Sequence, residues 1–68
     1  MDGEERRAVL AAVAKLPQRQ REVLALKYYL DLAEADVAAI LRVSRGTVAA
    51  SGSRALAALA RQLREEER

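Results

Sequence analysis

Cysteine and histidine are both absent from this chain, as are phenylalanine and tryptophan, and proline occurs once. Without cysteine there is neither a disulfide framework nor a thiolate metal site. Without histidine the commonest general base and metal ligand is missing, so no serine has a plausible catalytic partner. Long apolar runs are missing too: none approaches the roughly 20 residues that cross a bilayer. The opening "MDGEERR" is not a signal peptide, so a cytoplasmic protein without membrane contact is expected.

What is present is one small domain of 68 residues, near the size at which a single core is marginal. Its net charge is only +2, but the charge is unevenly placed. Asp31, Glu34 and Asp36 form an acidic patch in mid-chain, and Arg42, Arg45, Arg54, Arg61 and Arg64 follow with no acid between them. A basic block inside a balanced chain points to a local anionic partner. The acidic patch is a poor metal site, because oxygen-only sites need more converging ligands. Acids around a helix start are explained by the helix dipole instead. No metal, no cofactor and no enzymatic activity are expected.

Helix-forming residues dominate and no segment alternates with period two, so the sequence predicts an all-α fold. Four helices are expected, at about residues 4–15, 17–30, 34–42 and 45–64. In the first, Val9, Leu10, Val13 and Leu16 have helical spacing. Pro17 ends that helix and opens the next, where its missing N–H costs nothing. The second helix offers Val23, Leu24, Leu26 and Tyr28 for apolar contact, and Tyr28 and Tyr29 are read as core and rim aromatics. The third turns Val37, Ile40 and Leu41 inward.

The short connection "RVS" between the last two helices is the most informative feature, because a helix-turn-helix sends its second helix into the DNA major groove. Ser44 is placed as N-cap of that helix, accepting from the N–H of Gly46 or Thr47. The exposed N-terminus beyond it is a ready phosphate site. At 100° per residue, Val48, Gly52, Ala55, Leu56, Leu59 and Leu63 share the expected core arc. Thr47, Ala50, Arg54 and Arg61 lie opposite, with Ser53 and Arg64 at the edge. Arginine can pair with guanine edges or phosphates, and small residues permit close approach. From the residues alone, a DNA-reading helix and a solvated helix of a protein-interaction module both remain open.

The stretch "LPQRQREVLALKYYLDLAEADVAAILRVSRGTVAASGSRALAAL" resembles region 4 of the sigma-70 family. The likeness is strongest to the extracytoplasmic-function (ECF) sigma factors, whose pattern is "LPxRQRxVLxLRYxxxLSxxEIAxxLGxSxGTVKSxxxRAxxxL". Order and spacing are kept over about residues 16–59. The LuxR-type response-regulator domain shares a "REVL" and a "TV" element but usually lacks the "LPxRQR" opening, and it ranks second.

The resemblance implies a compact helical domain that reads double-stranded DNA at the −35 promoter element. It also implies docking on the β-subunit flap of RNA polymerase core and, in many members, capture by an anti-sigma factor. Carried over by position, the DNA-contacting residues are Arg45, Thr47, Ala49, Ala50, Ser53 and Arg54. Arg19 and Arg21 match the basic "RQR" and face backbone phosphate, or else cap a helix or pair with Glu22. Nothing here resembles region 2, so the chain is expected to be the C-terminal domain of a longer sigma factor.

Four positions depart from the pattern. Ala49 stands where Lys or Arg is usual and Ala50 where Ser is frequent, which removes a phosphate contact. Ala33 replaces the Ser that caps helix three, and Arg42 replaces a turn glycine, a strained choice if φ is positive there. The alanine strip Ala49, Ala50, Ala57 and Ala60 keeps the interaction-module reading in view. Gly52 on the core arc predicts close packing against helix two or three.

Overall fold

The computed structural model describes residues 2–66; Glu67 and Arg68, at the end of the terminal charged run, lie outside the described residues. Helices α1 (Gly3–Ala14), α2 (Gln18–Leu24), α3 (Glu34–Leu41) and α4 (Arg45–Glu66) follow in order, with no strand among the described residues. The molecule measures 38 × 19 × 15 Å. At 1.5 Å per residue α4 alone accounts for about 33 Å of the long axis, so it is the beam on which the other helices rest.

Local chemistry explains most of the helix ends. Asp2 caps α1 by accepting the Glu5 N–H at 2.8 Å, with Glu4 and Glu5 in the first turn favouring the dipole. Pro17 is the N-cap of α2 rather than its first helical residue. Its φ/ψ of −56°/150° is non-helical, and its carbonyl accepts the Arg21 N–H at 3.1 Å. Ala33 starts α3 with extended backbone and no side-chain cap, as expected from the missing serine.

The second helix does not run as a regular α-helix to residue 30. After Leu24 the chain widens into a π-helical turn, Ala25–Tyr29, closed by the Leu30 N–H on the Ala25 carbonyl at 3.0 Å. The extra residue in that turn shifts the facing of the side chains beyond it. Leu26 and Leu32 pack on the core, whereas Tyr28 is half exposed and Tyr29 largely so. Tyr28 is therefore not a core aromatic. The Lys27 ammonium lies 5.5 Å from its ring centroid and reaches Glu34 at 3.1 Å, fastening the π turn to the start of α3. The hydrogen bond to Glu34 holds Lys27 above its ordinary value, against a smaller opposing effect of lost hydration. A raised lysine keeps this link through neutral pH and releases it only as pH climbs past that raised value.

Two apolar clusters form the core. Val23, Val37, Ala38 and Val48 make one, with Leu26, Leu32, Leu41 and Val43 around them. Leu16, Leu24 and Ala55 make the other, with Val13, Ala58 and Leu59. The adjacent residues Val23 and Leu24 on α2 thus feed different clusters, and α4 supplies Val48 to one and Ala55, two turns later, to the other. Between them Gly52 meets Val23: a Cβ built on it would lie 3.5 Å from Val23 Cγ1.

Three expected core residues lie outside. Leu10, Ile40 and Leu56 are 59%, 56% and 45% exposed, whereas Ala12, Ala38 and Ser51, outside the expected apolar stripes, are buried. Periodicity marks the apolar arc of a helix but not which part of it meets a neighbour. On α4 the covered stripe is rotated toward Ser51, Ala55 and Ala58, so Leu56 falls at its edge.

The Gly52 contact leaves room for one methyl. Gly52→Ala should therefore raise unfolding free energy by up to about 1 kcal/mol through helix propensity, whereas Gly52→Val should lower it by about 1–3 kcal/mol through overpacking. Urea denaturation of the two variants measures both. Ala33→Ser, at a backbone already extended, should add about 1 kcal/mol by supplying the missing cap. Thermal unfolding that leaves the Ala33→Ser midpoint unchanged would show that α3 gains nothing from a cap.

Candidate nucleic-acid interface

The turn between α3 and α4 is built by residues that reverse the chain tightly. Arg42 sits in the left-handed region at φ 59°, ψ 45°, where glycine is usual and a Cβ is strained. Both its N–H and that of Val43 turn back to the Ala38 carbonyl, the latter at 3.0 Å. This closure resembles a Schellman motif, with Val43 packed on the cluster that holds Ala38.

Ser44 then caps α4. Its Oγ accepts the Thr47 N–H at 3.0 Å, its carbonyl accepts the Val48 N–H at 3.1 Å, and the Ser44 and Thr47 hydroxyls are 2.9 Å apart. Of the two expected donors, Thr47 is the one used. The N–H groups of Arg45 and Gly46 have no acceptor among the described residues, so the positive end of the helix dipole is open to an anion.

Arg45, Thr47, Ala49, Ala50, Ser53 and Arg54 are all exposed, while Val48, Ser51, Gly52 and Ala55 between them are buried. The structure brings these expected contacts together on the outer side of the first three turns of α4, about 14 Å of helix at 1.5 Å per residue. They do not form one line. Thr47, Ala50 and Arg54 share a face, and Arg45 points from nearly the opposite flank, with Ala49 and Ser53 between. A helix lying in a groove has two walls to meet, and this arrangement offers an arginine toward each.

Arg19 and Arg21 lie apart, at the start of α2, and each has a partner within the chain. Arg19 Nε is 3.4 Å from Glu22 Oε1. Arg21 Nη1 donates to the Ala14 carbonyl at 3.3 Å and the Leu16 carbonyl at 3.2 Å, closing the C-terminal end of α1. The sequence left open phosphate contact, ion pairing and helix capping; the last two are what the folded chain itself provides for these side chains. The carbonyls that Arg21 meets come from a helix end whose position relative to α2 only folding sets. The ion pairs among the described residues are Arg19–Glu22 and Lys27–Glu34, so no arginine of α4 is neutralised there.

Two helices joined by a tight capped turn, the second presenting unpaired arginines and an open N-terminus, define a helix-turn-helix domain. The model of the family "Sigma-70, region 4" matches residues 6–59, and the chain belongs to that family. No curated protein matches the chain at a significant level. Membership implies binding of −35 promoter DNA in transcription initiation, and interaction with RNA polymerase core, by a transcription-factor domain rather than an enzyme. Among the described residues no helix is long and apolar enough to cross a membrane.

The bonds of Arg21 separate its two roles by experiment. Arg21→Met keeps the aliphatic stem and removes the donors, and it should lower stability by about 0.5–1.5 kcal/mol in urea denaturation. If its donors serve only α1, the salt dependence of duplex binding stays unchanged; a slope shallower by about one would assign Arg21 a phosphate.

Proposed function

We propose that this chain is the −35-reading region 4 of an ECF sigma factor, probing promoter DNA with the first three turns of α4. The observation that carries the reading is the exposed, acid-free face bearing Arg45, Thr47, Ser53 and Arg54 beside an uncovered helix N-terminus. The ECF assignment rests on the combined "LPQRQREVLALKYY" and "SRGTV" elements. In this reading Arg54 and Arg45 read base edges or clamp phosphates, Thr47 and Ser53 supply hydroxyls, and the open N–H groups of Arg45 and Gly46 hold a phosphate. Ala49 and Ala50 admit close approach to the groove but add no charge, so affinity depends heavily on the arginines. Arg19 and Arg21 lie apart from that face; Arg21 acts first as a fastener of α1 to α2, and Arg19 as the partner of Glu22 within α2. The β-subunit flap and an anti-sigma factor are the protein partners this assignment carries.

A second reading has one observation in its favour. Ala49, Ala50, Ala57 and Ala60 are all exposed, a smooth strip that suits helix-on-helix docking with DNA contact secondary.

Fluorescence anisotropy of labelled duplexes with varied −35-like sequences, at two salt concentrations, separates the readings. Arg54→Ala should erase a preference for one sequence at a cost of about 1–3 kcal/mol, with thermal unfolding unchanged. A wild-type domain that binds every duplex alike and loses all binding with salt would show that the arginines meet only phosphate. Absence of binding at low salt would favour the interaction module.

A further inference from the structure

The apolar core is divided, and α3 takes part in one half of it. Val37 and Ala38 belong to the cluster of Val23 and Val48, with Leu32, Leu41 and Val43 beside them. The cluster of Leu16, Leu24 and Ala55, with Val13, Ala58 and Leu59, draws on α1, α2, α4 and the joint between the first two. It takes nothing from α3, so a chain with α3 out of place keeps every member of that cluster. The approach of Val23 to Gly52 likewise joins α2 to α4 without α3.

Both ends of the same segment are strained. Asp31 at φ 56° and Arg42 at φ 59° are the non-glycine residues with positive φ among the described residues. They stand immediately before Leu32 and immediately after Leu41. A Cβ in this region crowds the backbone, so each residue relaxes when its φ turns negative. A few positions at the ends of elements, able to absorb such a change, are what make a hinge. Among the described residues two polar links tie the segment to the chain before it. The Leu32 N–H donates to the Leu26 carbonyl at 3.0 Å, and Lys27 Nζ to Glu34 Oε2 at 3.1 Å.

We propose that residues 32–41 form a strap that opens and recloses on pivots at Asp31 and Arg42 while α1, α2 and α4 stay packed. Burial of Val37 and Ala38 and the two polar links hold it shut, and the backbone strain at both pivots works against closure. Opening withdraws Leu41 and Val43 from the core and undoes the turn that leads to Ser44. The helix-turn-helix therefore exists only in the closed form, and DNA that binds it pulls the strap shut. That coupling rests on the DNA-binding reading; the opening does not, because it is measured with no DNA present.

Backbone amide hydrogen exchange at urea concentrations below the unfolding midpoint reads the opening directly. The amides of Ala38 to Leu41 should exchange roughly tenfold or more faster than those of Ala55 to Leu59, once intrinsic rates are divided out. They should also share one shallow urea dependence, the mark of a unit that exposes less surface than the whole domain. Leu16→Val thins the other cluster, so it should quicken the Ala55–Leu59 amides by roughly two- to tenfold and leave the α3 amides unchanged. Arg42→Gly relieves one pivot and should slow the α3 amides by roughly three- to tenfold. Duplex at ten times its Kd should slow them by about tenfold. The strap is overturned if the two sets of amides share one exchange free energy and one urea slope, because the chain then opens only as a whole. It is equally overturned if Leu16→Val quickens both sets alike, or if Arg42→Gly leaves the α3 rates where they were. Duplex that binds by anisotropy yet leaves α3 exchange unchanged would overturn the coupling to DNA.

Discussion

The close contact between α2 and α4 is the constraint on which the rest depends. Among the described residues Val23, Val37 and Val48 are the largest fully buried side chains, with Leu16 and Leu24 nearly so. Burying a valine contributes on the order of 1.5–3 kcal/mol, in a domain whose whole stability is about 5–15 kcal/mol at best. A core of such small side chains is effective only if the backbones approach closely. At Gly52 the approach leaves space for one methyl and no more, since a Cβ there would already touch Val23 Cγ1 at 3.5 Å. With α2 seated on α4, Val37 reaches the same cluster, and the angle between α3 and α4 follows. The presentation of Arg45 to Arg54 is thus a consequence of packing on the opposite side of the same helix.

Helix α3 draws little support from the residues at its two ends. It has no side-chain cap at Ala33, and two non-glycine residues in the left-handed region, Asp31 and Arg42, bracket it. Aspartate tolerates that conformation better than arginine does, because its short side chain can bond locally. The helix is held instead by Val37 and Ala38 in the core and by the Lys27–Glu34 link to the π turn. An element held mainly by tertiary contacts opens more readily than one that is also stable locally. Here that element is the first helix of the helix-turn-helix.

The arginines divide by what surrounds them. At the start of α2, acids and helix-end carbonyls are near, and Arg19 and Arg21 are engaged within the chain. Along α4 no acid intervenes, so Arg45, Arg54 and Arg61 face solvent with their donors unspent. Exposed ion pairs contribute little to stability, and leaving these side chains unpaired costs the fold almost nothing while reserving them for an anion.

Helix number, the capped turn and the exposed placement of Thr47, Ala50, Ser53 and Arg54 were legible in the sequence, whereas Arg45 and Ala49 entered by resemblance alone. The former rest on local chemistry: propensity, proline and serine at helix starts, and a period that separates Val48, Gly52 and Ala55 from their neighbours. The strain at Arg42 and the bare start at Ala33 were legible for the same reason. The fates of Leu10, Ile40 and Leu56 were not, because an apolar arc is wider than the stripe a neighbour covers, and only the docked helices choose the stripe. Nor were the π turn that turns Tyr28 outward and the Arg21 bonds to α1. Each depends on residues from different elements meeting in space, and no periodicity along one helix encodes that meeting.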